Sequence, residues 1–202
     1  LPIYSFRPSQ NDPFHFDLWH KGINVLRDGG SYSYNASKRL LNYFSGIETH
    51  NTIEFKSNNQ MISFSRFLMG SKINFPNIIE KDIKDNFETF KTFYYFQKNF
   101  HERKIINKSE NNNWAIIDSF RSSSGEIIVR WRLTPIKWER INTLEFESSL
   151  AKISLISESN IKSCKLIDGF ESRFYGEKKK IPVIELIISG YEGKVKTIIK
   201  TF

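Results

Sequence analysis

Among the side chains of the first fifty residues that could bind cations or move protons, Asp12, Asp28 and His50 sit at turns and strand ends. Two carboxylates and one imidazole suit zinc or another divalent ion, with water completing the shell. Each residue also has a plainer explanation. Asp12 precedes Pro13 and Asp28 precedes Gly29-Gly30, both common turn placements, and His50 leads into a strand it could simply cap. Between them, Phe14, Phe16 and Leu18 alternate with His15, Asp17 and Trp19, so one face is apolar and the other carries an imidazole, a carboxylate and an indole.

To meet, these residues need strands that end close together. Most of the chain alternates with period two. Ile127, Val129, Trp131 and Leu133 share one face, while Ile128, Arg130 and Arg132 share the other. Similar runs recur at 14–19, 23–26, 52–55, 114–117, 151–156 and 183–188, separated by Gly, Asn, Asp and Ser. Abundant isoleucine suits a pleated surface. The pattern predicts an all-β domain, an antiparallel β-sandwich of two stacked sheets with one or two short helices, over residues 1–202. Residues 37–44 read as a short helix with Leu40, Leu41 and Phe44 inward. The polar stretch 77–91 reads as an excursion or long loop before a strand over 93–100. A sandwich of this kind would gather Asp12, Asp28 and His50 near one rim.

Composition narrows the class. The 202 residues are 39% hydrophobic and 15% aromatic, too apolar for a disordered chain. A single cysteine, Cys164, excludes an internal disulfide framework and CxxC sites and reads as a small buried residue. No apolar run reaches the roughly 18 residues of a membrane span. The opening Leu1-Pro2-Ile3-Tyr4 carries no basic leader and reads as a cut from a longer protein. A net charge of +8 favours a polyanionic partner. No RRM, KH, cold-shock or zinc-finger signature is present, and the aromatics sit at strand-core spacing, so no nucleic-acid partner is expected.

Arg7 to Trp19, then Gly22-Ile23-Asn24, Asp28-Gly29-Gly30 with Tyr32 and Tyr34, His50-Asn51-Thr52 and Gln60-Met61 resemble the C-terminal β-sandwich of heparinase II/III-like polysaccharide lyases. Looser agreement continues at 101–106, 114–118, 130–135 and 172–182. The resemblance implies a lyase that cleaves uronate-containing glycans, such as glycosaminoglycan or alginate, by β-elimination. A base removes the proton beside the uronate carboxylate after that carboxylate has been neutralised. It implies further that an N-terminal helical toroid supplies the principal base, and that this sandwich completes the cleft and is inactive alone. A periplasmic or secreted location goes with the family.

The same resemblance implies metal ligands at Asp12, Asp28 and His50, with zinc the favoured ion, and substrate contacts at Arg7, Trp19, Tyr34 and Asn51. Many members carry histidine where this chain has Gln10, and Gln can hydrogen-bond a sugar but cannot exchange a proton near neutral pH. Either His15 or the missing domain takes over that duty, or the activity is lost or altered. The His15 face, with Asp17 and Trp19, could stack on and grip a pyranose, although a His15–Asp17 pair on a solvated sheet face is the plainer account. Arg130 and Arg132 could clamp carboxylates, but alternating arginines more commonly occupy an outer sheet face. The rival reading is a non-catalytic carbohydrate-binding or capsule-polysaccharide-processing module, which needs the sandwich and aromatic platforms without the chemistry.

Overall fold

Alternating apolar residues turn to a shared core in strands that lie far apart in sequence. In the computed structural model, residues 9–56, 63–65, 68–69, 80–84, 87–108 and 112–202 are described. The strands in chain order are β1 Leu18–His20, β2 Ile23–Leu26, β3 Ile53–Phe55, β4 Ser63–Ser65, β5 Leu68–Met69, β6 Glu80–Lys84, β7 Phe87–Phe96 and β8 Asn99–Lys108. They continue as β9 Asn113–Arg121, β10 Glu126–Arg132, β11 Glu139–Asn142, β12 Glu145–Glu147, β13 Ala151–Ser157, β14 Asn160–Glu171, β15 Lys179–Ser189 and β16 Glu192–Thr201. One α-helix, α1 (Lys38–Ser45), and a 3-10 turn (Ile47–Thr49) stand among them.

The larger sheet runs β11-β12-β13-β16-β9-β8-β7-β6 and the smaller β14-β15-β10-β3, with β1-β2 and β4-β5 as separate pairs. All pairings between these strands are antiparallel. On β10, Ile127, Val129 and Trp131 join the same buried cluster as Ile116 of β9, Ile153 of β13 and Ile199 of β16. The two sheets therefore share one core, as a sandwich requires. Trp131 ties them together by donating its indole N–H to Thr197 Oγ1 at 3.1 Å. No helix of the described residues is long and apolar enough to cross a membrane.

The outer face of the smaller sheet is not solvated throughout, because α1 and the 3-10 turn cover part of it. Phe44 is buried there, with Leu40 and Leu41 half-buried. The Tyr43 hydroxyl accepts the Phe170 N–H at 2.8 Å. Arg132, fully buried under this cover, donates to the backbone carbonyls of Glu48 and Phe170. Arg130 binds Glu54 and Glu185 on the flanking strands. Neither guanidinium is offered to a glycan.

Two sequence readings change. The stretch expected to be a loop contains β6, paired with the first half of β7. All five β6 side chains are exposed at the sheet edge, so no buried face imposed an apolar alternation on it. The expected strand over 93–100 is instead the tip of a hairpin, in which Phe96 pairs with Asn99 and Gln97 turns the chain at φ 53°. Neither Gly, Asn nor Pro marks that turn.

Candidate functional site

The segment from Asn11 to Asp17 is irregular, with strand geometry beginning only at Leu18, yet the alternation survives. Phe14, at φ 56°, and Phe16 pack against the core, and His15 points the other way. Two further loops meet it. The turn after β2 brings Asp28, and the 3-10 turn ends at His50. One nitrogen or oxygen from each of His15, Asp28 and His50 lies within 4.8 Å of the others.

Asp28 organises the group. Its Oδ1 accepts the Gly30 N–H at 2.6 Å, the ordinary work of a turn aspartate, while Oδ2 accepts from His50 Nδ1 at 2.8 Å. His15 Nε2 lies 3.7 Å from the same Oδ2. Burial alone would raise the Asp28 carboxyl, but the His50 hydrogen bond and charge, helped by the Gly30 N–H and His15, hold it at about 2. Burial dominates at His15 and outweighs the attraction of Asp28, lowering its pKa to about 4. Asp12, expected at the same rim, is exposed and stands outside the tight group, whose third member is His15 instead, although its carboxyl feels the charges of His50 and Asp28. Partial desolvation raises it, against the opposing pull of His50.

The two imidazoles are held in different tautomers. The Asp28 carboxylate fixes a proton on His50 Nδ1, which leaves the lone pair on Nε2. His15 Nδ1 instead accepts the backbone N–H of Asn51 at 2.9 Å, so its proton sits on Nε2. Both Nε2 atoms are buried without a hydrogen-bond partner among the described residues. His50 thus presents an acceptor and His15 a donor. Asp28 lies on the Nδ1 side of His50, so a divalent cation shared by the two would first have to displace the Nδ1 proton, and His15 would first have to give up its Asn51 bond.

The remaining expected site residues divide. Gln10 reaches the same turn, donating to Gly30 O at 3.4 Å and Ser31 Oγ at 3.2 Å. Tyr34 is 56% exposed and in ring contact with Tyr175. Trp19 is 55% exposed and donates to Asp17 at 3.2 Å, apart from the cluster. Asp17 thus binds Trp19 rather than His15. Arg7 lies outside the described residues, as do Gln60 and Met61.

Asn51 does not face a substrate. It is fully buried, its side chain donating to Phe16 O at 2.9 Å and to Arg27 O at 3.3 Å, and accepting the Arg132 N–H at 2.6 Å. It is a brace that sets the His15 ring.

Behind this brace lies a buried network that site reasoning from the sequence missed. Arg103 of β8 grips Asp118 of β9 with Nε at 2.7 Å and Nη2 at 2.9 Å. Its Nη1 donates to Phe14 O at 2.5 Å and Asn51 O at 2.7 Å, one carbonyl from each loop that carries a histidine of the cluster. His101 also contacts Asp118 at 2.8 Å. Burial raises the Asp118 carboxyl, but Arg103 and His101 more than reverse this and hold it low. The available signal was His101 and Arg103 alternating on one face of β8, a charged pair placed where core residues belong.

Gly30 closes the site from below. It adopts φ 75° and bridges to Ser172, whose carbonyl oxygen would lie 2.0 Å from an added Cβ. Gly30→Ala is expected to cost at least about 2 kcal/mol, combining left-handed strain with a backbone clash. Urea unfolding of the two proteins measures the difference.

The comparisons with known proteins agree with this architecture. The family model for the heparinase II/III-like C-terminal region matches residues 2–173. No curated protein matches in sequence. Among solved structures, a heparinase III gene product superposes with a TM-score of 0.78 at 16% identity, covering 96% of this chain and 30% of that one. Heparan sulfate lyase HepC from Pedobacter heparinus gives 0.74 at 16% identity, covering 96% and 31%. The chain therefore spans about 30% of the length of the structures it resembles. With the family model matching most of its length, the chain belongs to the heparinase II/III-like C-terminal family.

Proposed function

We propose that this domain forms one wall of the cleft of a polysaccharide lyase that cleaves uronate-containing glycans by β-elimination, with a helical N-terminal domain forming the other. The observation that carries the reading is the meeting of a buried imidazole, His50, and a half-buried one, His15, beside the Asp28 carboxylate at a loop-built rim, each with an Nε2 that has no hydrogen-bond partner among the described residues. Such unsatisfied buried nitrogens are costly unless a ligand completes them. The His15 Nε2–H is placed to donate to an acidic or ether oxygen of the sugar. Gln10 can hydrogen-bond substrate but not exchange its proton, so the principal base belongs to the other domain.

Asp12, Asp28 and His50 would hold a divalent ion, zinc foremost by donor type. Bound there, it would supply positive charge beside the sugar's carboxylate. Zinc titrated into the chelator-treated chain is expected to raise its melting temperature. Asp28→Asn, which removes a carboxylate from the ligand set, should weaken zinc binding by at least about 10-fold. A chain that takes up no zinc at neutral pH removes the metal from this reading.

The activity is tested on the protein that contains both domains. Acidic glycan should yield unsaturated uronate, seen as rising ultraviolet absorbance, and His15→Ala should suppress it. Glycan binding without any such product would establish the non-catalytic sugar-binding reading instead.

A further inference from the structure

An open cavity of about 280 Å³ lies beside the Asp28 turn, walled by the segments Ser31–Tyr34 and Ser172–Tyr175. Backbone bonds hold the two walls together: Ser172 N–H to Gly29 O at 2.8 Å and Gly176 N–H to Tyr32 O at 2.7 Å. Tyr32 also stacks on Phe44 of α1, with ring centroids 5.2 Å apart. The groove is therefore built before any ligand arrives.

Its surface combines three chemistries. Tyr34, Phe174 and Tyr175 are 56%, 71% and 65% exposed, a concentration of aromatic surface in which Tyr34 and Tyr175 touch each other. Ser31 Oγ accepts from Gln10 and Ser33 Oγ accepts from the Asn35 N–H, and among the described residues neither hydroxyl proton has an acceptor. Arg173 also lines the groove, and among the described residues no carboxylate forms an ion pair with it. Its neighbour Glu171 is committed to Arg27 at 2.7 Å. Exposed rings, hydroxyls and an exposed guanidinium suit a flat, hydroxylated and negatively charged ring.

We infer that this groove is a subsite for an anionic sugar unit flanking the one held at the His15–Asp28–His50 cluster. The inference rests on the lyase reading. Gln10 connects the two places, touching the Asp28 turn and the groove hydroxyl of Ser31 alike. The sugar's ring lies against Tyr34 and Tyr175, and its carboxylate or sulfate pairs with Arg173.

Calorimetric titration of the chain with a heparan sulfate tetrasaccharide tests this. Arg173→Ala is expected to weaken binding about 10-fold, the loss of one charge-assisted contact, and Tyr175→Ala by a similar factor. Both side chains are exposed, so folding is not at stake. A neutral tetrasaccharide of equal length should bind more weakly and be indifferent to Arg173→Ala. Unchanged affinity in both variants, alongside a loss in His50→Ala, overturns the subsite and leaves the lyase reading standing. An unaltered chain that fails to bind the acidic probe also overturns the subsite. The lyase reading falls separately, on the absence of unsaturated product from the protein containing both domains.

Discussion

Replacing Arg103 by methionine is expected to destabilise the domain by about 3–5 kcal/mol, the cost of stranding one member of a buried ion pair. Arg103 is 2% exposed and Asp118 fully buried, so the orphaned carboxylate could not be solvated without opening the sheet. The same change frees the carbonyls of Phe14 and Asn51, which then lack their buried donor. Arg103→Lys should recover little, since an ammonium cannot hold both carboxylate oxygens and two carbonyls at once. Adding Asp118→Asn to Arg103→Met should return part of the stability by removing the unpaired charge. Denaturant melts of the four proteins decide the matter, and a loss below about 1 kcal/mol in Arg103→Met would show that the network carries little.

Acid should unfold the domain in two stages. The His15 pKa is depressed to about 4, below its ordinary 6.5, because burial opposes its charge; His101, completely buried, is shifted in the same direction for the same reason. As pH falls below about 6.5, the unfolded chain takes up protons that the folded chain refuses, so stability declines until the folded His15 titrates near 4. For His15 alone this amounts to roughly 3 kcal/mol. Asp28 and Asp118, held below the usual carboxylate range, contribute stability that is lost at still lower pH, as the folded carboxylates protonate. Melting temperatures between pH 7 and pH 4.5 should therefore fall steeply, and less steeply in His15→Gln. An equal slope in that variant would place the acid sensitivity elsewhere.

The sandwich was legible because burial on one face writes itself into alternation. The β10 pattern of Ile127, Val129 and Trp131 emerged as core facing the larger sheet. Where both faces are covered or neither is, the signal fails. Arg132 looked like an outer residue because nothing in its neighbourhood announced that α1 would roof it over. β6 looked like a loop because it buries nothing. In the site, Asp28 and His50 were legible as a pair. The entry of His15, the withdrawal of Asn51 and the support of Arg103 were not, because each depends on at least one contact 35 or more residues apart in sequence. The parallel bridge from Gly30 to Ser172 is of the same kind and likewise left no local trace.

The place of β16 has a practical corollary for anyone producing this protein. Residues 192–201 lie in the middle of the larger sheet, with β13 on one side and β9 on the other. Until they have left the ribosome, the strands before and after β10 in that sheet have no bridge between them, and their flanks stay bare to other nascent chains. A shortened version ending near residue 173 would also lack β15, the strand joining β14 to β10. Such a fragment keeps every histidine and aspartate of the cluster while losing the frame that aligns them, and it should emerge as aggregate.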